Sequence, residues 1–147
     1  MSRTVILYGT ESGNAELVAE DIGEELDGGA AVVISDMSEF DVAELSSEDF
    51  YIIICSTHGD GELPTSARPF HEALSAAHPD LSGVKYAMFG LGDSTYETYS
   101  QGSEHVDRVL TELGAERVGE YGRHDAADGS LPNDAAVAWS RTLPIFV

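Results

Sequence analysis

The chain is poor in thiols, cations and long apolar runs. Cys55 is the single cysteine in 147 residues, and Lys85 is the sole lysine among seven basic side chains. One thiol excludes an internal disulfide framework and a metal cage built from cysteines, and it fits a reducing compartment. No apolar stretch approaches the length of a bilayer span. The opening MSRTVILYGTE has too short an apolar run for a signal peptide and an acid where cleavage would fall. The few cations stand against 27 acidic residues, for a formal charge of −20. Such a surface repels phosphate backbones and anionic lipid, which argues against nucleic-acid and membrane-surface roles. The expectation is a soluble cytoplasmic monomer whose partners are neutral or basic.

What is present suits a packed core. Apolar residues make up 42% of the 147 residues, and a chain this long forms one domain that buries roughly 70% of its unfolded surface. Apolar runs bounded by turn residues predict five short buried strands at Thr4–Tyr8, Ala30–Ile34, Phe50–Cys55, Tyr86–Leu91 and, more weakly patterned, Glu116–Tyr121. Between the first two, Ala15, Val18, Ile22 and Leu26 share one helical face while Glu16, Glu20 and Glu24 face water, and Asp27-Gly28-Gly29 stops the helix. Further helices are predicted near Ser66–Ala77, Ser103–Leu113 and, from an Asn133 cap, to about Leu143. The stretch from Ser35 to Asp49 shows little period beyond one helical turn around Val42. Crossovers of this length pair strands in parallel, and uniformly apolar strands need cover on both faces. The fold class is therefore α/β, a three-layer doubly wound sandwich.

In such folds ligands lie beyond the carboxyl ends of the strands, where strand order reverses. The first strand runs into Gly9-Thr10-Glu11-Ser12-Gly13-Asn14 and then directly into a helix. Unpaired N–H groups at a helix start, with the Thr10 and Ser12 hydroxyls and the Asn14 amide, make a cradle for a phosphate. The loop lacks the Gly-Lys-Ser/Thr ending of a P-loop and the G-x-G-x-x-G of a dinucleotide site, so a monophosphate is the better match. An ordinary polar turn accounts for the same residues equally well. After the third strand, Ser56-Thr57-His58-Gly59-Asp60-Gly61 permits close backbone approach to a flat ligand. Read alone, it is simply a surface loop. After the fourth, Leu91-Gly92-Asp93-Ser94-Thr95-Tyr96-Glu97-Thr98-Tyr99 adds rings able to stack on a planar group. Together the three loops describe a slot for a phosphorylated aromatic cofactor.

These residues resemble flavodoxin-like FMN proteins, especially the short MioC-like flavodoxins and the FMN domains of cytochrome P450 reductase and sulfite reductase. The carriers are YGTESGNAE, STHGDGELPTSARPF, FGLGDSTYETY and the late GAERVGEYG, which together span nearly the whole chain. The resemblance implies a single FMN-binding domain over residues 1–147, with a five-stranded parallel sheet in the order 2-1-3-4-5. It places Thr10, Glu11, Ser12, Gly13, Asn14 and Ala15 around the phosphate. Ser56, Thr57, His58, Gly59 and Gly61 fall on one side of the isoalloxazine, and Leu91, Gly92, Asp93, Tyr96 and Tyr99 on the other, with Tyr96 stacked on the ring and Asp125 nearby. Asn14 stands where a threonine is common, and His58 where the reductase domains often carry an aromatic residue.

The implied activity is low-potential electron transfer, one electron at a time, between a flavin- or ferredoxin-type reductase and a biosynthetic acceptor enzyme. The Gly59 carbonyl is expected to turn toward the flavin N5 when the ring gains a proton. The protein tunes the cofactor and supplies no catalytic acid or base. An NAD(P)H-dependent FMN quinone reductase is the alternative enzyme. A signalling receiver of the same strand order would need an acceptor aspartate where Ser56-Thr57-His58 stand and a lysine after the fifth strand, which is missing. The acids are spread along the whole chain, as on a halophile's solvated surface with a docking face embedded in it. Cys55 reads as a small buried hydrophobe, the histidines lack the spacing of a metal site, and Trp139 should pack the last helix onto the sheet.

Overall fold

A computed structural model describes residues 4–9, 14–26, 32–45, 49–56, 67–92, 101–118, 121–125 and 132–140. In chain order they form β1 (Thr4–Gly9), α1 (Asn14–Leu26), β2 (Val32–Asp36), β3 (Phe50–Ser56), α2 (Arg68–Ala77), β4 (Lys85–Gly92), α3 (Gln101–Glu112), β5 (Glu116–Arg117), β6 (Gly122–Asp125) and α4 (Pro132–Ser140). Single 3₁₀ turns at Met37–Glu39 and Val42–Glu44 follow β2, each opened by an aspartate, Asp36 or Asp41, that accepts a backbone N–H. No helix among the described residues is long and apolar enough to cross a membrane.

Strand order is β2-β1-β3-β4-β5, with β6 also paired to β4, and every pairing is parallel. This is the expected order. Along these strands, apolar throughout, successive side chains alternate between two covered faces. Val5, Leu7, Tyr51, Ile53, Tyr86 and Met88 point to one face, where Phe70 and Leu74 of α2 and Val106 and Leu110 of α3 cover them. Ile6, Ile52, Ile54, Ala87 and Phe89 point to the other, beneath Val18 and Ile22 of α1 and Ala136 and Trp139 of α4. Consecutive Ile52, Ile53 and Ile54 are all buried because both faces are roofed. Each such side chain contributes roughly 1.5–3 kcal/mol.

The fifth strand departs from expectation. In place of one strand over Glu116–Tyr121, β5 holds only Glu116 and Arg117, and pairing resumes in β6 at Gly122. Between them Val118 still donates its N–H to the Tyr86 carbonyl at 2.8 Å. Pairing is carried by the backbone there, since Glu116 and Arg117 are exposed and supply no apolar pattern. Among the described residues the second strand runs Val32–Asp36, two residues past the expected Ile34, while Ala30 and Ala31 lie outside the described residues. Its Val33 and Ile34 are each 39% exposed, which marks an edge strand whose apolar character does not mean full burial. Trp139 packs as expected, its ring 5.1 Å from that of Phe89.

Candidate functional site

Chain direction reverses its spread at β1: β2 lies on one side, and β3, β4 and the fifth position lie on the other. The crevice that such a reversal creates opens beyond the carboxyl ends of β1 and β3. Register places those ends level. Gly9 pairs with Cys55, Cys55 with Gly90, and Gly90 with Arg123. One residue further on, Ser56 pairs with Leu91 and Leu91 with His124, and Gly92 pairs with Asp125. The strand-terminal residues named from the sequence, Ser56, Leu91, Gly92 and Asp125, thus share one edge.

Asn14 is the first residue of α1, so the segment 10–13 joins β1 directly to that helix start. Ala15 is fully buried in the core beneath α1, and Leu91 is buried in the same cluster. What either can offer a ligand is its backbone. Thr10, Glu11, Ser12, Gly13, Thr57, His58, Gly59, Gly61, Asp93, Tyr96 and Tyr99 lie outside the described residues. Tyr8, one residue before the end of β1, donates its hydroxyl to Glu16 in the first turn of α1 at 3.1 Å. Burial, then the Glu16 hydrogen bond, push this phenol up to about 12. The strand end and helix start that flank the segment 10–13 are thereby tied together.

Three neighbours of this edge carry no sequence signal. A β-carbon built on Gly9 would fall 2.7 Å from Ala67 Cβ, 3.0 Å from Met37 Sδ and 3.4 Å from Cys55 Sγ. Ala67 and Met37 were not among the expected site residues. Burial pushes the Cys55 thiol up to about 12, which makes it a packing group and not a nucleophile.

A cavity of about 320 Å³ lies elsewhere, lined by Glu104, Asp107, Arg108, Thr111, Arg117 and Tyr121. From its lining residues a chain of contacts runs toward the amino end of β4. Tyr86 donates to Asp107 Oδ1 at 2.6 Å, Arg117 Nη1 to Asp107 Oδ2 at 2.8 Å, and the guanidinium sits 4.9 Å over the Tyr121 ring. Burial and the Asp107 hydrogen bond raise the Tyr86 phenol far above its ordinary range. These contacts fasten the two-residue β5 to α3.

The fold defines a doubly wound α/β protein whose strand order reverses at β1, the place where such folds bind their ligands. Residues 6–139 match the flavodoxin family model, and the chain belongs to the flavodoxin family. Protein MioC of Escherichia coli O157:H7 is 32% identical over 139 residues, covering 95% of this chain and 94% of MioC. The sulfite reductase [NADPH] flavoprotein alpha-component of Bacillus subtilis (strain 168) is 39% identical over 115 residues, 77% of this chain. The chain spans only 19% of that larger protein. Among solved structures, oxidised flavodoxin 2 from Bacillus cereus superposes with a TM-score of 0.84 at 33% identity, covering 99% of each chain. Family membership assigns FMN as the cofactor. The donor chemistry fits it: the neutral hydroxyls of Thr10 and Ser12 precede, and the amide of Asn14 opens, a 13-residue helix whose first N–H groups have no intrahelical partner, which suits a monophosphate.

Proposed function

We propose that this chain is an electron carrier that passes low-potential electrons singly between a flavin- or ferredoxin-type reductase and a biosynthetic acceptor enzyme. The observation that carries the reading is the level carboxyl edge, where Gly9, Ser56, Gly92 and Asp125 end four strands beside the start of α1. Residues 1–147 act as one FMN-binding domain.

Bound FMN supplies the one-electron redox chemistry. The hydroxyls of Thr10 and Ser12 and the amide of Asn14 donate to its phosphate, while Glu11, Gly13 and Ala15 offer backbone N–H groups. Ser56, Thr57, His58, Gly59 and Gly61 line one side of the ring. Leu91, Gly92, Asp93, Tyr96 and Tyr99 line the other, with Asp125 beside it, and Tyr96 excludes water from the ring face. The Gly59 carbonyl would accept a hydrogen bond from an N–H at the ring edge. None of these groups needs to transfer a proton as catalyst, so the protein binds, orients and sets the potential. The excess of acids makes added negative charge in the crevice costly, which pushes the second reduction to low potential.

The acids serve a second purpose, solvation of a monomer in a saline cytoplasm, with a docking face for basic partners among them. Stepwise reduction of the FMN-loaded protein followed by absorbance tests the carrier. Two resolved one-electron steps are expected. A single two-electron step, or rapid turnover with NAD(P)H and a quinone and no reductase, would contradict it.

A further inference from the structure

Gly9 is the last residue of β1, and the phosphate-side segment 10–13 begins immediately after it. Cys55 is the penultimate residue of β3, and Ala67 is the residue at which α2 starts. Those two positions therefore bracket the ring-side segment 57–66. Met37 opens the turn that leaves β2. All three side chains converge on the space where Gly9 lacks a β-carbon, at 2.7 Å for Ala67, 3.0 Å for Met37 and 3.4 Å for Cys55. Gly9, Met37, Cys55 and Ala67 are all fully buried.

The requirement for glycine here is steric and not conformational. Among the described glycines, positive φ occurs at Gly83 and Gly114 and not at Gly9, so an alanine can adopt the Gly9 backbone. What it lacks is room. Interiors this close-packed do not absorb an added methyl without displacing a neighbour. Met37 can yield through its flexible thioether. Ala67 can yield only by moving the start of α2, because its obstructing atom is a β-carbon and its carbonyl is held by the His71 N–H at 3.0 Å.

We propose that the Gly9–Ala67 contact is a positioning joint that couples the phosphate side of the cofactor site to its ring side. It rests on the FMN reading above. Because the two segments share one rigid point, a methyl on Gly9 displaces the start of α2 and with it one anchor of the segment 57–66. Phosphate grip and ring environment then change together, though neither Gly9 nor Ala67 is among the residues assigned to touch the cofactor. Ala67 tolerates the complementary change, since it makes no side-chain cap to α2 and glycine is an acceptable residue at a helix N-cap.

The test is a four-protein cycle of wild type, Gly9→Ala, Ala67→Gly and the double variant, reading FMN affinity and the separation between the two one-electron potentials. Gly9→Ala should weaken FMN by about tenfold or more and alter the separation. Ala67→Gly should stay within about threefold of wild type, and the double variant should recover both readouts, because the obstructing β-carbon is gone. Ala67→Val crowds the same point from the other side and should reproduce the loss, which keeps the test decisive if Gly9→Ala does not fold. Wild-type affinity in Gly9→Ala, or a double variant as weak as Gly9→Ala, overturns the joint while leaving the FMN reading intact. A wild type that fails to bind FMN overturns both.

Discussion

Gly122 lies so close to Trp139 that a β-carbon there would fall 2.7 Å from the indole Nε1 and would also collide with Phe89 Cδ2. The first residue of β6 is thus wedged between a ring of β4 and a ring of α4. This contact seats the strand whose last residue, Asp125, pairs with Gly92 at the cofactor edge. Gly122→Ala should cost about 1–3 kcal/mol through overpacking. A urea midpoint lowered with an unchanged slope, read from the fluorescence of Trp139, checks it.

Asp107 is the hinge of the second polar chain, taking the Tyr86 hydroxyl at 2.6 Å and the Arg117 guanidinium at 2.8 Å. Asp107→Ala should destabilise by about 1–2 kcal/mol, since the buried phenol then keeps only the longer bond it donates to the Asp107 backbone carbonyl at 3.3 Å. Asp107→Asn retains an acceptor and loses only a half-exposed ion pair, worth under about 1 kcal/mol. Denaturation of the two variants should rank them in that order. Equal losses would show that the ion pair, and not the Tyr86 hydrogen bond, holds β5.

Cys55 gives a pH dependence of known sign. Its folded-state thiol is held up to about 12 from an ordinary 9.0. The folded state therefore keeps its proton while the unfolded state loses it, and the stabilisation present below pH 9 declines as pH rises toward 12. The stability of Cys55→Ala should fall less steeply across that window than wild type. In native protein at pH 8 the thiol should resist an alkylating reagent and react promptly once urea unfolds the chain.

The charge of −20 predicts a salt response. Repulsion among exposed acids is screened over about 10 Å at 0.1 M and about 3 Å at 1 M ionic strength. The thermal midpoint should climb as potassium chloride is raised from millimolar to molar, and FMN affinity should rise with it. A flat response in both would remove the case for a salt-adapted surface.

The layers were legible because their cause is local. Runs such as Tyr51 to Cys55 are apolar at every position, a pattern only a doubly covered strand tolerates. The split at the fifth position was not, because Glu116 and Arg117 join the sheet through backbone pairing and Arg117 is held by Asp107 from a separate helix. One helical turn was legible at Val42, where the Asp41 carboxylate accepts the Ala43 N–H at 2.9 Å; the turn at Met37, held in the same way by Asp36 and the Ser38 N–H at 2.8 Å, was not. At the carboxyl edge, Ser56 and Gly92 could be placed from the expected ends of the third and fourth strands, whereas Asp125 came only from the family resemblance, because the expected fifth strand stopped at Tyr121 four residues short of it. Gly9 and Ala67 could not, since their importance is a distance between residues remote in the chain, and no residue type in the sequence encodes it.

The central claim is that the turn opening α1 and the strand ends beside it hold FMN. Titration of the purified chain with FMN, followed by flavin fluorescence from low to molar ionic strength, addresses it most directly. The account predicts quenching that saturates at one FMN per chain and a yellow protein after desalting. Unquenched flavin that washes away at every ionic strength would contradict it.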